Sequence, residues 1–464
     1  MANGPRAALA LALIGALGCG RGSTSPAPPP PPHDAGGKDA SPVEIPPQPL
    51  GLADLAGFAW RSRGGQPSFR TARKAEGRED WVAVAASCRD ALATDPGHLE
   101  AAWLYAVALA KTGKLDGVLA PLEVAATGDF GKWALASLDQ PALQPFLATP
   151  SGQAWRRRVD DDRVSYLAAL GRAVIVTSHG DVFAFDPDAG RFHRLTRTYG
   201  SVIGALAARP AHRIAYVSRT KDKHGTKLGV GIINLTSGRT THATALPGTQ
   251  LRIAATAKGF AIRTGPTWQL LDDDGKLHPL APAPHPGEWL DVTGRTVRLV
   301  RVPPDGIAGD WDDQGLASAI RLGQTSRVIT VPGQIDGSTV AWAPDRSHLA
   351  FVAQLDDACG KPNAPGAAAF VAEASTGRLD EIERATGGLA VEWVGDRKLA
   401  VAGDHGVELV DLGGKPAAID GADGLTAPRR RPRCAAPEQA GSDEPPVDEE
   451  SGVGDEGSDA GATP

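Results

Sequence analysis

The sequence is poor in several features that mark particular classes of protein. Four cysteines in 464 residues are too few for a fold framed by disulfides. Aromatic residues make up only 5% of the chain against 42% apolar residues in all, so a core must be built mainly from Ala, Val, Leu and Ile. Gly-x-Ser-x-Gly, Walker and His-Glu-x-x-His motifs are absent from the sequence, as is the concentrated basic face of a nucleic-acid-binding protein. These absences remove the usual sequence evidence for a serine hydrolase, a nucleotide-binding protein or a zinc peptidase, and we expect no nucleic acid, metal or cofactor.

The N-terminal apolar run is shorter than a membrane-spanning helix. Residues 7–17 follow the basic residue Arg6 and have the length of a signal peptide, whereas a spanning helix takes about 20 residues. The run ends in Ala16-Leu17-Gly18-Cys19, which resembles a bacterial lipobox. This resemblance implies that residues 1–18 are removed and Cys19 is acylated, giving an exported lipoprotein of the bacterial cell envelope. Gly20 favours the outer membrane. An ordinary cleaved signal with a chance cysteine is the alternative.

Two segments with few large apolar residues flank the rest of the chain. Residues 19–50 form a Pro-rich linker with an uninterrupted proline run at 28–32, which predicts an extended spacer. Residues 422–464 predict a disordered tail. In this tail a basic cluster, Arg429-Arg-Arg-Pro-Arg433, precedes residues 435–464, which carry nine acidic and no basic side chains. Since the whole chain has a net charge of −6, the remainder has one of +3.

Residues 51–155 carry a helical pattern. Apolar stripes at 81–92 and 99–111, separated by Thr94-Asp-Pro-Gly97, predict two helices. The small residue Ala106 and the position of Pro96 resemble the tetratricopeptide repeat, which implies a small tetratricopeptide-like helical domain. Because such repeats need about three copies to stand alone, we expect the segment to pack on its neighbour. Cys88 lies on an apolar stripe, so we expect it in the helical core.

Residues 160–421 repeat short apolar strands separated by turns. A Gly before Arg or Lys recurs at the tips of predicted hairpins, at Gly190, Gly238, Gly275, Gly377 and Gly414, while Ser326 takes the Gly position in one unit. We expect these glycines to adopt positive φ angles. Their spacing of 37 to 51 residues, with about four strands per unit, is typical of β-propeller blades. The first blade is predicted to begin with a strand at residues 164–170.

A family resemblance supports this interpretation. Trp342-Ala-Pro-Asp-Arg-Ser-His-Leu-Ala-Phe351, and more loosely Ala207-Ala-Arg-Pro-Ala-His-Arg-Ile-Ala-Tyr216, resemble the repeat of TolB-type propellers. The resemblance implies a mainly β fold, a six-bladed β-propeller preceded by the small α-helical domain. Seven blades remain the alternative count. Because both families chiefly bind other molecules, it also implies an interaction scaffold.

Three predicted connections between the second and third strands of a blade are long: residues 220–227, 303–316 and 356–366. Such connections open onto one face of a propeller, where repeat proteins bind partners, so we expect a protein or glycan partner there. The candidate contact residues are Arg219, Lys221, Lys223, His224, Asp310, Trp311, Asp312, Asp313, Asp356, Asp357 and Lys361. The alternative is that these surface loops are long without serving binding, because lengthening a loop costs little free energy. A peptidoglycan- or sugar-binding module and a propeller hydrolase or lyase with a carboxylate or metal site at the channel mouth are the functional alternatives.

Cys359 and Cys434 are a candidate disulfide pair. One lies in a long predicted loop and the other just after the last predicted blade. In an exported protein the bridge would hold the end of the domain near the fifth blade. Two free thiols are the alternative.

Overall fold

The computed structural model describes residues 43–55, 64–208, 212–222, 225–242, 252–256, 259–263, 268–272, 274–279, 288–290, 296–300, 316–322, 328–336, 339–355 and 365–427. Residues 1–43 separate from a second unit, residues 44–464. Within the described part, the second unit is mainly β, with several antiparallel sheets preceded by a helical region. The predicted signal peptide, residues 19–42 of the linker and residues 428–464 lie outside the described residues. The predicted start of the disordered tail at residue 422 was wrong, because residues 422–427 include the strand Gly424–Leu425 and the buried Leu425, which distant contacts hold in place.

The helical region contains seven α-helices within the described residues. They are α1 (Gln66–Glu76), α2 (Trp81–Thr94), α3 (Leu99–Lys111), α4 (Leu119–Gly128), α5 (Phe130–Asp139), α6 (Gln144–Leu147) and α7 (Pro150–Arg172), with 3₁₀ turns at Leu115–Gly117 and Pro141–Leu143. Helices α2 and α3 confirm the two predicted helices. Side chains cap both of them, since Asp80 accepts a hydrogen bond from the backbone of Ala83 and His98 accepts one from Ala101.

The last helix corrects the predicted first strand, because residues 164–170 lie within α7. Thr149 caps this helix and Pro150 occupies its first turn, where a missing N–H costs nothing. Trp155, Val159, Tyr166 and Leu170 are buried, at spacings that a helix brings onto one face. Val164, two residues before Tyr166, is 72% exposed, although a strand would have put both side chains on the same face.

The β region contains 24 strands within the described residues. In order, they are β1 (Val174–Ser178), β2 (Asp181–Asp186), β3 (Arg191–Arg194), β4 (Val202–Ala208), β5 (Arg213–Asp222), β6 (Gly225–Asn234), β7 (Arg239–His242), β8 (Arg252–Thr256), β9 (Gly259–Arg263), β10 (Trp268–Leu271), β11 (Leu277–Pro279), β12 (Glu288–Leu290), β13 (Thr296–Val300), β14 (Leu316–Leu322), β15 (Val328–Asp336), β16 (Ala341–Trp342), β17 (His348–Gln354), β18 (Ala367–Glu373), β19 (Leu379–Ala385), β20 (Ala390–Trp393), β21 (Lys398–Gly403), β22 (Gly406–Asp411), β23 (Ala417–Ala418) and β24 (Gly424–Leu425).

These strands form antiparallel units of four. Strands β4–β7, β8–β11 and β20–β23 are three separate four-stranded sheets in simple chain order. Strands β12–β15 and β16–β19 belong to one eight-stranded sheet, in which β15 pairs with β17 through Gln334 opposite Gln354 and Ile335 opposite Ala353. The repeated up-and-down order follows from short turns between consecutive apolar strands.

The first sheet is completed from the far end of the chain. Its order is β24-β1-β2-β3, and β24 pairs with β1 through Leu425 opposite Val176 and Gly424 opposite Thr177. Strand β24 therefore takes the place in this sheet that was predicted for residues 164–170. The sheet is built from both ends of the β region.

Successive four-stranded units also share apolar cores. Alternate side chains of each strand point to opposite faces, so one sheet can contribute to two cores. The shared cores join β4–β7 to β8–β11 (Ala215, Val230, Phe260, Ile262), β14–β15 to β17–β18 (Ile320, Ile335, Leu349, Phe370), β17–β18 to β20–β21 (Val352, Val371, Val391, Leu399) and β20–β22 to β1–β3 (Ala400, Val407, Val176, Phe183). The last sheet thus packs on the first.

The helical region packs on the first two sheets, as its incomplete repeat pattern predicted. Tyr166 and Leu170 of α7 share a core with Ile175 of the first sheet and Ile214 of the second. Cys88 is fully buried among α1, α2 and α3, which confirms its predicted core position, and burial raises the pKa of its thiol to about 12.

Glycines at four hairpin tips have the predicted positive φ angle, and at a fifth tip the positive φ lies one residue earlier than predicted. Gly190, Gly238, Gly275 and Gly377 have φ angles between 60° and 77°. In the last tip the positive φ belongs to Gly413, at 84°, so the prediction of Gly414 was wrong by one residue. Two adjacent glycines satisfy the same turn chemistry, and sequence alone does not choose between them.

Candidate functional site

We call the upper edge the end of the sheets at which the second and third strands of a unit join. In the first sheet this junction is the turn at His179 and Gly180, and the segment that leads to the next sheet, residues 195–201, lies beside it. Gly180 must lack a side chain, because a Cβ there would lie 2.6 Å from the carbonyl oxygen of Gly200. The turn and the segment are thus in direct backbone contact.

A buried carboxylate, that of Asp181, fixes this segment. Asp181 is fully buried, and its Oδ1 accepts hydrogen bonds from the Thr196 hydroxyl at 2.5 Å and from the Thr198 N–H and hydroxyl at 3.0 Å each. Its Oδ2 accepts one from the N–H of Gly200 at 3.1 Å. A buried carboxylate is costly unless its lone pairs are satisfied, so this arrangement stabilises one conformation of residues 196–200.

Two apolar side chains are exposed in this segment and at the start of β4. Tyr199 is 51% exposed and has a φ of 55°, an uncommon value for a residue with a side chain. Ile203 is 50% exposed and lies at a bulge, where the pairing of β4 with β5 shifts between Val202 and Gly204. Bulges and unusual φ angles re-aim side chains and concentrate at functional sites. Tyr199 within the segment and Ile203 just after it, in β4, are therefore exposed instead of buried.

A projecting hairpin stands next to this segment. Pairing of β4 with β5 ends at Ser218, and pairing of β6 with β7 ends at Gly231, yet β5 and β6 continue to pair as far as Asp222 opposite Gly225. We call residues 219–222 and 225–228 the β5–β6 finger. The predicted loop at residues 220–227 is therefore wrong in its conformation: most of it is paired strand, which satisfies backbone groups that a loop would leave to water.

The finger carries exposed basic side chains on both faces, with Lys227 on the face opposite to that of Arg219 and Lys221. Arg219 and Lys221 are exposed and two residues apart, so their side chains leave the same face of the ribbon. The N–H of Arg219 donates to the carbonyl oxygen of Ser201 at 2.8 Å, which joins the base of the finger to the segment that displays Tyr199 and Ile203. We call Tyr199, Ile203, Arg219 and Lys221 the upper patch. It combines exposed apolar surface with positive charge.

A related arrangement recurs at the upper edge of the last sheet. Asp404, in the turn between β21 and β22, accepts hydrogen bonds from the N–H and hydroxyl of Thr386 at 2.6 and 2.7 Å and from the N–H of Gly387 at 3.0 Å. The Thr386 hydroxyl bond, with the backbone bonds, lowers the pKa of Asp404. Nearby, burial and the charge of Glu408 raise the pKa of Glu383. No apolar side chain comparable to Tyr199 is exposed among the described residues here.

A buried charge network joins the helical region to the first sheet. The side chain of Asp129 is fully buried and binds Arg197 through two hydrogen bonds, at 2.9 and 2.5 Å. The Nη1 atom of Arg194 lies 3.6 Å from carboxylate oxygens of both Asp129 and Glu100. Burial lowers the pKa of Lys132 beside them. Because each of these charges faces an opposite charge, we assign the network to attachment of the helices rather than to chemistry.

Of the predicted contact residues, the structure places Arg219 and Lys221 in the upper patch. The others, Lys223, His224, Asp310, Trp311, Asp312, Asp313, Asp356, Asp357 and Lys361, lie outside the described residues. Cys19, Cys359 and Cys434 also lie outside them, so acylation and the disulfide stay predictions. Tyr199 and Ile203 were missed because a bulge and a left-handed tyrosine leave no periodic signal; the Gly200 that follows Tyr199 was the available sign of a turn.

Neither a metal centre nor a membrane helix is found in the described part of the chain. No three His, Cys, Asp or Glu residues there are placed to hold a metal ion. Apart from the first sheet, each four-stranded unit begins with a strand of mostly small and apolar residues. These strands are β4, β8, β12, β16 and β20, and their carboxylates are Glu288 and Glu392. None of the described helices has the length and apolar character needed to cross a membrane.

Comparison with known proteins gives weak likenesses of fold. No family model and no curated protein matches the chain. Among solved structures, TolB from Acinetobacter baumannii matches at 11% identity and a TM-score of 0.33, covering 57% of this chain and 68% of that one. The Niastella koreensis GH74 enzyme matches at 13% and 0.24, covering 53% and 45%, and a Pyrococcus horikoshii acylaminoacyl peptidase at 12% and 0.25, covering 46% and 38%. At these scores the likenesses support no functional argument.

Proposed function

We propose that this chain is a non-catalytic interaction scaffold of the bacterial cell envelope that binds a protein or glycan partner through the upper patch. The observation that carries the proposal is that the buried carboxylate of Asp181 fixes the segment that exposes Tyr199, next to the exposed Ile203 at the bulge of β4. Exposed aromatic and apolar side chains on a rigid support lose little conformational entropy on binding, so they are suited to anchor a partner.

In this proposal the six four-stranded units close into a TolB-like six-bladed propeller. Pairing of β24 with β1 and the core shared by the last and first sheets support closure, because both join the two ends of the β region. A closed ring leaves few exposed sheet edges and turns the upper edge into a continuous rim of loops. The helical region would then be a degenerate tetratricopeptide-like domain attached to the side of the ring.

The location is proposed from the sequence. An acylated Cys19 would hold the protein at the membrane, in the outer membrane if Gly20 acts as the sorting residue, and the Pro-rich residues 19–50 would space the folded part from the lipid. The described chain resumes beside the first sheet, where Leu52 and Phe192 exchange backbone hydrogen bonds of 2.8 and 2.9 Å. The tether would thus pull on the outer edge of that sheet.

The test is affinity capture from detergent-solubilised envelope with the full acylated chain as bait. Tyr199→Ala with Ile203→Ala should reduce the recovered partner roughly tenfold, as expected for loss of about 1.4 kcal/mol or more at a central anchor. Val82→Ala with Leu135→Ala is the matched control, since those side chains are 71% and 36% exposed on helices. Equal recovery by wild type and the upper-patch variant would refute the proposal.

A further inference from the structure

We propose that the acidic C-terminal segment, residues 435–464, binds the β5–β6 finger of the same chain and thereby competes with the partner for the upper patch. The inference rests on the proposed function, because it concerns regulation of the same surface. Three observations carry it: the charge of the finger, the charge of the tail, and the place where the chain leaves the first sheet.

The charges of the two segments are complementary. Arg219 and Lys221 are exposed on one face of the finger. Residues 435–464 carry nine carboxylates and no basic side chain. Arginine binds carboxylates through paired charge-assisted hydrogen bonds. A ribbon that presents Arg219 and Lys221 on one face can therefore contact neighbouring carboxylates of an extended chain.

The chain leaves the sheets within reach of the finger. The N–H of Ala207 donates to the carbonyl oxygen of Thr426 at 2.9 Å, and Ala207 pairs with Ile214 of β5. From Ile214 to Arg219 the strand rises by roughly 17 Å, at about 3.3 Å per residue. The twelve residues from Thr426 to the first tail carboxylate, Glu438, span up to about 40 Å when extended. The acidic residues can therefore reach the finger, because the extended length of this segment exceeds the distance along β5.

Tethering makes this contact effective although each ion pair is weak. Exposed ion pairs contribute only about 0 to 1 kcal/mol each, in part because two flexible side chains must be ordered. A short flexible tether gives an effective concentration in the millimolar range, so even a weak site is well occupied within one chain. The backbone of the finger is also fixed by the pairing of β5 with β6.

The experiment uses full-length chains and a labelled peptide of residues 435–464. In one chain, the neutral-tail chain, every Asp of residues 435–464 is replaced by Asn and every Glu by Gln. Fluorescence anisotropy at low salt should show the peptide binding the neutral-tail chain roughly tenfold more tightly than wild type, whose own tail occupies the finger. Salt at about 0.3 M should remove most of this binding, because the contact is electrostatic.

Substitution locates the site. Arg219→Glu with Lys221→Glu in the neutral-tail chain should weaken peptide binding roughly tenfold, since attraction becomes repulsion. Lys74→Glu with Lys114→Glu makes the same change of charge at exposed positions of the helical region and should leave binding within about twofold. Equal binding by wild-type and neutral-tail chains would overturn the inference. The inference would also be overturned if the control substitutions weakened peptide binding as much as the finger substitutions do. It would equally be overturned if the finger substitutions left the affinity for the peptide unchanged.

The outcome is separable from that of the proposed function. If the inference holds, the neutral-tail chain should recover more partner than wild type in the capture experiment, while Tyr199→Ala with Ile203→Ala leaves peptide binding unchanged. If the peptide does not bind but the partner is captured normally, only the inference about the tail is refuted. If the peptide binds the finger but partner capture does not depend on Tyr199 and Ile203, only the proposed function is refuted.

Discussion

At the scale of single residues, burial of His193 makes the stability of the fold depend on pH. Its side chain is 4% exposed, its ring meets the ring of Tyr166 edge-on at 5.4 Å, and a Cβ on Gly51 would lie 3.2 Å from the imidazole. Burial lowers the pKa of His193 to about 4, although Asp186 opposes the change, and Arg172 adds to it. With this pKa, the imidazole is neutral in the folded protein at pH 7 and becomes charged only near pH 4 and below.

This predicts a loss of stability in mild acid. The unfolded chain takes up a proton near pH 6.5 and the folded chain near pH 4, so the unfolded state binds more protons between these values and stability falls as the pH decreases through that window. The loss from this group is on the order of 2 to 3 kcal/mol. Urea unfolding at pH 7 and pH 4.5 should show a smaller difference for His193→Gln than for wild type. An identical pH dependence would contradict the assignment.

At the scale of elements, the segment before the helices holds the outer edge of the first sheet. Leu52 forms an isolated bridge to Phe192 of β3, and Leu55 is fully buried in the core shared by the first and last sheets. A short segment without regular structure thus covers an edge strand and fills a core position, which protects β3 from pairing with other chains.

Shortening Leu55 should destabilise the protein without changing the surface. We expect Leu55→Ala to lower the free energy of unfolding by about 3 kcal/mol, because a fully buried Leu leaves a cavity. Val43→Ala is the control, since Val43 is 39% exposed, and should change stability by less than about 0.5 kcal/mol. Chemical denaturation measures both. A similar small effect of the two substitutions would show that Leu55 is not held in the core.

At the scale of the whole molecule, two residues of β24 join the ends of the β region. Besides its pairing with β1, the segment receives a backbone hydrogen bond of 2.8 Å from Asp423 to Thr177, and Ser178 donates to the carbonyl oxygen of Gly421. Leu425 is 8% exposed in a core that also contains Val407 and Ile419 of the last sheet. Loss of this contact should therefore loosen the first and last sheets together.

Leu425→Asp tests this closure. Placing an unpaired carboxylate in the shared core should cost about 3 to 5 kcal/mol and should remove hydrogen-exchange protection from β1 and from β20–β22 together. Val82→Asp, at a position 71% exposed, is the control and should leave protection unchanged. Loss of protection confined to β1 would contradict a closure that joins both sheets.

Sequence by itself determined the local features of this protein. Helices α2 and α3, the positive φ of Gly190, Gly238, Gly275 and Gly377 and the up-and-down order of the strands follow from side-chain periodicity and turn chemistry, which act over a few neighbouring residues. Only the tertiary structure decided what depends on distant contacts. A two-residue strand such as β24 has no period to detect, and its neighbour Thr426 meets Ile175 across 251 residues of chain. The exposure of Tyr199 likewise follows from Asp181, whose burial no local pattern marks, because the donors that satisfy it come together only when the first sheet has formed.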